Sequence, residues 1–133
     1  DGKGARILLA EDNVTNQQVV CLLLKKWGYP CEVAENGREA VSAWERGTYA
    51  AVIMDCQMPV MDGLEATRII RSREAVGCHV PIIALTAGAD MSSRKNCLAV
   101  GMDDYLTKPL NARKLKATLE AQLVAHRELV PTS

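Results

Sequence analysis

Ile7-Leu8-Leu9-Ala10-Glu11-Asp12-Asn13 is the stretch from which the fold can be read. Four apolar residues in succession are too few for a helix, and the lack of polar alternation describes a strand covered on both faces. The two acids end the strand, and Asn13 offers a side-chain oxygen to cap a helix that follows. Similar short runs recur: Cys31-Glu32-Val33-Ala34, Ala51-Val52-Ile53-Met54, Pro81-Ile82-Ile83-Ala84-Leu85 and the weaker Asp104-Tyr105-Leu106. Longer amphipathic stretches lie between them, the alternation that a parallel sheet with crossover helices requires. Five strands are predicted, with the second and fifth, mixed in polarity, at or near the edges.

The intervening stretches carry helix start and stop signals. After Asn13, the residues Val19, Val20, Leu23, Leu24 and Trp27 form one apolar stripe, and Gly28 follows as the residue that ends the helix. Cys21 and Leu22 fall off this stripe, which predicts an exposed apolar spot near the acids where a partner helix could dock. Asn36-Gly37 opens a second helix that stops at Gly47, and Asp62-Gly63 opens a third through Arg71. A fourth runs from about Asp90 to Gly101, and Asn111 caps a fifth in which Leu115, Leu119 and Leu123 recur on one face. Arg68, Arg71, Arg73, Arg94 and Lys95 read as solvated helix faces. The fold class is therefore α/β, a doubly wound parallel sheet of five strands and five helices, and the flavodoxin-like order 2-1-3-4-5 is taken over from known folds of that kind and is not set by the pattern. Residues 6–126 form the domain, 1–5 read as a linker, with Asp1-Gly2-Lys3-Gly4 at its head, and 127–133 read as a tail that frays at Pro131-Thr132-Ser133.

Composition narrows the function. Sixteen basic residues balance sixteen acidic ones, so no net field favours nucleic acid or an anionic membrane, and the 4% aromatic content without any Phe argues against a base-stacking platform. At 48% hydrophobic the chain can fill a core. No apolar run approaches the roughly 20 residues that cross a bilayer. Cys21, Cys31, Cys56, Cys78 and Cys97 are widely spaced without metal-ligand pairing, and read as reduced packing residues. The five methionines read as core fillers and loop anchors, with Met58 and Met61 flanking the turn after strand three.

Chemistry gathers at the strand ends, because open α/β sheets bind ligands beyond the carboxyl ends of their strands. Glu11 and Asp12 follow the first strand and Asp55 the third, and the order 2-1-3-4-5 makes these strands neighbours. Acids in such positions also serve as ordinary helix caps. Thr86 follows the fourth strand and Lys108 the fifth, so a hydroxyl and an ammonium face the same crevice. Three carboxylates repel unless a cation joins them, and with one lysine and one divalent ion the set is neutral, which favours an oxygen-ligated cation such as Mg2+. An aspartate in that setting can attack a phosphoryl group, with lysine and hydroxyl donors stabilising the charge of a loose transition state; Asp55 is then the nucleophile.

Four motifs in order, Leu8-Leu9-Ala10-Glu11-Asp12-Asn13, Met54-Asp55-Cys56-Gln57-Met58-Pro59-Val60-Met61-Asp62-Gly63, Ala84-Leu85-Thr86-Ala87 and Asp104-Tyr105-Leu106-Thr107-Lys108-Pro109, resemble the receiver domain of two-component response regulators. The resemblance covers about Arg6 to Leu123. It implies that Asp55 accepts a phosphoryl group from a phosphohistidine. Mg2+ would be bound by Asp12, Asp55 and the backbone carbonyl of Gln57, and Glu11 would assist through water. Lys108 would contact the phosphoryl oxygens, aimed inward by a cis peptide to Pro109. Thr86 and the amide of Ala87 would close on the new group, and Tyr105 would turn inward and relay the change to the face of the fourth helix, fifth strand and fifth helix. Gln57 and Gly88 lie where the family tunes the hydrolysis rate.

The stretch Glu11-Asp12-Asn13-Val14-Thr15-Asn16-Gln17, with the motifs around Asp55 and Lys108, is similar to receivers of hybrid sensor histidine kinases. That likeness implies two partners, a histidine kinase phosphodonor domain and a histidine phosphotransfer domain, with no direct nucleic acid and no membrane contact by this domain. It also implies a cytoplasmic location, with room for an inner-membrane anchor elsewhere in a parent kinase. His79 and His126 lie away from the crevice, so the donor histidine comes from another domain or chain. The domain would then catalyse its own phosphorylation and dephosphorylation. A stand-alone response regulator and a non-phosphorylated interaction module are the alternatives. A haloacid-dehalogenase phosphohydrolase would need a second acid where Gln57 stands, and a flavodoxin would need a phosphate-cradling loop where Glu11-Asp12 would repel the cofactor.

Overall fold

Strands and helices alternate strictly in the computed structural model, which describes residues 5–87 and 91–129, the segments 91–93 and 126–129 by their backbone only. The order is β1 (Ile7–Ala10), α1 (Val14–Lys26), β2 (Cys31–Ala34), α2 (Gly37–Arg46), β3 (Ala51–Asp55), α3 (Gly63–Arg73), β4 (Ile82–Thr86), α4 (Met91–Ala99), β5 (Asp104–Thr107) and α5 (Ala112–Leu129). The five strands form one parallel sheet in the order β2-β1-β3-β4-β5, as expected for that kind of fold. Among the described residues no helix is long and apolar enough to cross a membrane. The Asp1–Gly4 segment, Gly88, the helix start near Asp90, the His126 side chain and the 130–133 end lie outside what is described.

Two-residue periodicity explains why the central strands are apolar throughout. Ile7, Leu9, Ala51, Ile53, Ile83 and Leu85 face one way and pack under Val20 and Leu24 of α1 and Leu115 and Leu119 of α5. Leu8, Ala10, Val52, Met54, Ile82 and Ala84 face the other way, against Ala40 and Val41 of α2, Ala66 and Ile70 of α3 and Cys97 of α4. Each face buries its own row, so a polar residue anywhere in β1, β3 or β4 before the last position would leave an unpaired group in a core.

Caps fix the helix ends. Asn13, Asn36 and Asp62 each accept a hydrogen bond from the backbone three residues on, at 3.0, 2.9 and 2.9 Å. Asn111 does the same for Lys114 at 3.1 Å. Gly28, at φ +90°, ends α1 in the left-handed conformation that a side chain disfavours. Five boundaries differ from the sequence reading. β3, β4 and β5 each run one residue further because pairing continues through Asp55↔Leu85 and Thr86↔Thr107, β4 starts after Pro81, and α3 continues to Arg73.

Two assignments of side chains are corrected. Val19 is exposed and Cys21 is partly buried against the core, the reverse of what the stripe predicts. Both lie about 100° from Val20 on the helix, so the pattern alone cannot choose between them; β2 lies on the Cys21 side and covers it. Leu22 remains 69% exposed. Arg71 is no solvated charge, with its side chain 15% exposed and its guanidinium bonded to four partners.

The turn between β3 and α3 is tight. Met61 N–H donates to Pro59 O at 2.7 Å across Val60, which sits at φ 70° and is 74% exposed. A β-branched residue in this conformation is strained, and the Val60 side chain gains almost no burial in return. A Val60→Gly variant is expected to be more stable by about 1 kcal/mol, read as a higher urea midpoint. An unchanged midpoint would mean that Val60 stores no strain.

Candidate functional site

Strand register brings the site together. Ala10 pairs with Met54, so the next residues, Glu11 and Asp55, emerge side by side at the carboxyl ends of β1 and β3. Thr86 ends β4 beside them, and Lys108 N–H donates to Thr86 O at 2.8 Å, which starts the turn after β5 at the same level. The Lys108–Pro109 peptide is cis. Gly63 opens α3 directly against the Asp55 backbone: a Cβ there would collide with the Asp55 carbonyl oxygen and stand 2.8 Å from Met54 Cγ, so only glycine lets the helix approach the strand end.

Lys108 Nζ donates to Asp55 Oδ2 at 2.8 Å and lies 3.4 Å from Glu11 Oε1. Asp55 Oδ1 accepts from the Gln57 amide at 3.0 Å, and Glu11 Oε2 from the Asn13 amide at 3.1 Å. Carboxylate oxygens of Glu11, Asp12 and Asp55 lie within 4.8 Å of one another; Glu11 and Asp55 are buried and Asp12 is exposed. Burial, with Asp55 alongside, pushes the Glu11 carboxyl up to about 7 despite the Asn13 amide and Lys108. Burial works against the Lys108 ammonium, but the hydrogen bond and charge of Asp55 hold it above its ordinary value. Glu11 Oε1 is buried and accepts no hydrogen bond among the described residues. One lysine is too little positive charge for three acids, and a buried oxygen with only a 3.4 Å ion pair and no hydrogen bond is what a bound cation would satisfy. The all-oxygen donor set, one member of it solvent-exposed, fits a hard divalent ion that keeps several waters.

This juxtaposition of paired acids, threonine and lysine on a 2-1-3-4-5 sheet has relatives. Residues 7–120 match the sequence profile of the response regulator receiver domain. The chain belongs to that family. The receiver is 45% identical over 115 residues to hybrid signal transduction histidine kinase B of Dictyostelium discoideum, covering 79% of this chain and 6% of the kinase. It is 40% identical over 127 residues to the hybrid signal transduction protein dokA of the same organism, covering 96% of this chain and 7% of that protein. It thus spans a small fraction of the relatives it matches. Among solved structures it superposes with a TM-score of 0.84, at 45% identity and with 91% and 98% of the two chains covered, on the receiver domain of sensor histidine kinase PA1611 from Pseudomonas aeruginosa, which has a magnesium ion coordinated in its active site cleft. It also matches, with a TM-score of 0.85, 34% identity and 92% and 90% coverage, a co-crystal structure of the Saccharomyces cerevisiae histidine phosphotransfer protein Ypd1 and the receiver domain of its downstream response regulator Ssk1. The receiver is one module of two-component phosphorelay signalling.

Most residues singled out from the receiver's sequence meet in the crevice. Glu11, Asp12, Asp55 and Lys108 form its floor, Thr86 is buried at its rim and Ala87 is exposed beside it. Gln57 lies with Asp12, Cys56, Met58, Pro59 and Asp62 around one open cleft. Tyr105 is partly buried on β5, and Arg94 of α4 lies over its ring at 5.1 Å, a contact that sequence reading missed. Cys21 does not contribute to an exposed spot. The apolar residues beside the crevice are Val19 and Leu110, which with Glu11, Asn16, Lys108 and Pro109 line a groove of about 150 Å³ between α1 and the turn before α5.

Proposed function

We propose that Asp55 accepts a phosphoryl group from a phosphohistidine and passes it on to a histidine phosphotransfer domain, within a hybrid sensor histidine kinase. The 2.8 Å contact of Lys108 with Asp55 inside a cluster of three carboxylates carries this reading. A carboxylate oxygen of Asp55 attacks phosphorus in line, the phosphorus–nitrogen bond of the donor breaks, and the departing imidazole nitrogen takes a proton. Lys108 faces the oxygens of the group in transfer and stabilises the charge spread over them. Asp12, Asp55 and the Gln57 carbonyl hold Mg2+, with Glu11 acting through water; when bound, the ion neutralises charge between nucleophile and phosphoryl group. The PA1611 receiver, with a magnesium ion coordinated in its active site cleft, supports Mg2+ as the ion of this site.

The new acyl phosphate carries about −2 charge where the carboxylate had −1. Thr86 and the Ala87 amide are then drawn to it, and Tyr105 turns into the space that Thr86 leaves. The groove lined by Val19, Asn16, Pro109 and Leu110 gives a partner helix an apolar seat beside Asp55, and the Ypd1–Ssk1 co-crystal supports a phosphotransfer domain as that partner. His79 precedes β4 at the end away from the crevice and pairs with Asp103 at 2.7 Å, so the donor histidine belongs to another domain. Residues 6–126 are the working unit, and its five free cysteines suit a reducing, cytoplasmic compartment.

Incubation with Mg2+ and acetyl phosphate, followed by intact mass measurement, tests the reading. The parent is expected to gain the mass of one phosphoryl group, chelation to abolish the gain, and Asp55→Asn to show none. Label that survives in the variant, or never forms in the parent, overturns it.

A further inference from the structure

Cys21 on α1 and Cys31 on β2 face one another with their sulfurs 3.0 Å apart, both partly buried. That is about 1 Å more than a disulfide bond, so closing it needs only a small movement of two side chains. We propose that this pair is a modification site, oxidised by a hydroperoxide to a reversible disulfide that ties α1 to the edge strand β2.

The five cysteines divide by access and by partner. Cys21 and Cys31 have both a partner and a path from solvent. Cys56 and Cys97 stand 3.5 Å apart but are only 9% and 2% exposed, so an oxidant reaches them less readily than Cys21 and Cys31, although Cys56 borders the cleft beside Gln57. Cys78 is exposed on the 74–80 connection. Burial, with Cys21 beside it, pushes the Cys31 thiol up, which suits Cys31 to the resolving role; the same bond results if the two sulfurs exchange roles. The Cys21 sulfur displaces the distal oxygen of the hydroperoxide, giving a sulfenic acid on Cys21 and an alcohol, or water from hydrogen peroxide. The Cys31 sulfur then attacks the Cys21 sulfur; the sulfenic hydroxyl leaves with the Cys31 proton as water. Two thiols are oxidised, one hydroperoxide is reduced, and an external dithiol reverses the bond. Cytosolic disulfides are characteristically of this transient, redox-responsive kind.

The bond closes the segment from Cys21 to Cys31 into a loop and so removes freedom from the unfolded chain. Neither sulfur lines the carboxylate crevice, so the oxidation is assayed without phosphodonor or Mg2+ and stands or falls separately from the chemistry at Asp55. The experiment uses the Cys78→Ser protein, treated with hydrogen peroxide, alkylated at its remaining thiols and weighed intact before and after proteolysis. The expected product has lost two hydrogens, contains linked peptides from α1 and β2, melts several degrees higher, and reverts with dithiothreitol. Cys21→Ala and Cys31→Ala, each checked for folding by circular dichroism, are expected to form no link. Three results would overturn the proposal: addition of oxygen without a link, a link through Cys56 or Cys97 instead, or an unchanged mass in the folded Cys78→Ser protein.

Discussion

An Arg71→Ala variant is expected to lose about 3 kcal/mol of stability, several times the effect of any other arginine on the same helix. The Arg71 guanidinium donates to Gly101 O at 2.9 Å, to Glu74 at 2.9 and 3.0 Å, to Val80 O at 2.8 Å and to Asp103 Oδ2 at 2.9 Å. Its carboxylate partners are 7% and 18% exposed, so removing the cation strands two charges that water reaches poorly. They keep some support, because Glu74 also accepts from Val80 N–H at 2.6 Å and Asp103 from Ile82 N–H at 2.8 Å, which holds the loss near the lower end of the range for a broken buried pair. Arg68, paired with Glu65 while both are more than half exposed, serves as the control, and Arg68→Ala should cost under about 0.5 kcal/mol. Arg71→Lys is expected to recover only part of the loss, since one ammonium cannot reach acceptors on three segments. Urea midpoints of the three variants check this. A loss for Arg71→Ala no larger than that of Arg68→Ala would show that the network is ornamental. Because the network joins the end of α3 to the starts of β4 and β5, its loss should also loosen the edge that carries Thr86 and Tyr105.

Arg71 also shows where sequence reasoning stops. The sheet and the acidic crevice were legible because their signals are local: a run such as Ile7 to Ala10, an acid at its end and an asparagine cap are neighbours in the chain. Strand order then converts local endings into a shared site, and the register Ala10↔Met54 puts Glu11 beside Asp55. Arg71 lies one helical turn beyond the buried Thr67 and next to the buried Ile70, the one hint that it borders the core. Its partners at 101 and 103 are set by the fold alone. The same holds for Val19 and Cys21, equivalent on the helix until β2 covers one of them, and for Cys56 and Cys97, 41 residues apart and in contact. The crevice itself needed every strand in place before its charges could be counted, and the buried Glu11 oxygen left without a hydrogen bond is a property of packing that no motif states.

Replacing Lys108 by alanine is expected to slow phosphoryl uptake at Asp55 by roughly a hundredfold, with the fold retained. The ammonium makes its 2.8 Å bond to Asp55 in the resting site, yet stabilising that carboxylate lowers its nucleophilicity, so the contact cannot by itself speed the reaction. On the proposed mechanism its value lies in the transition state, where the charge on the transferring oxygens meets a cation already in place. Two consequences separate this role from a structural one. Without Lys108 the three carboxylates face one another with no fixed positive charge, so the metal-free protein should lose about 2 kcal/mol, tempered by the partial exposure of the lysine. Mg2+ affinity should rise in the same variant, because a competing cation has left the cluster. A variant that binds Mg2+ more tightly, regains stability when the ion is added and still accepts phosphoryl groups slowly has lost a group that acts on the transition state. If uptake and Mg2+ affinity fell together, Lys108 would be holding the acids in position instead, and the charge stabilisation would have to come from Thr86 and the Ala87 amide. Lys108→Arg sharpens the choice, since a guanidinium supplies the charge but not the compact geometry that reaches Asp55 and Glu11 at once, and it is expected to restore stability without restoring the rate.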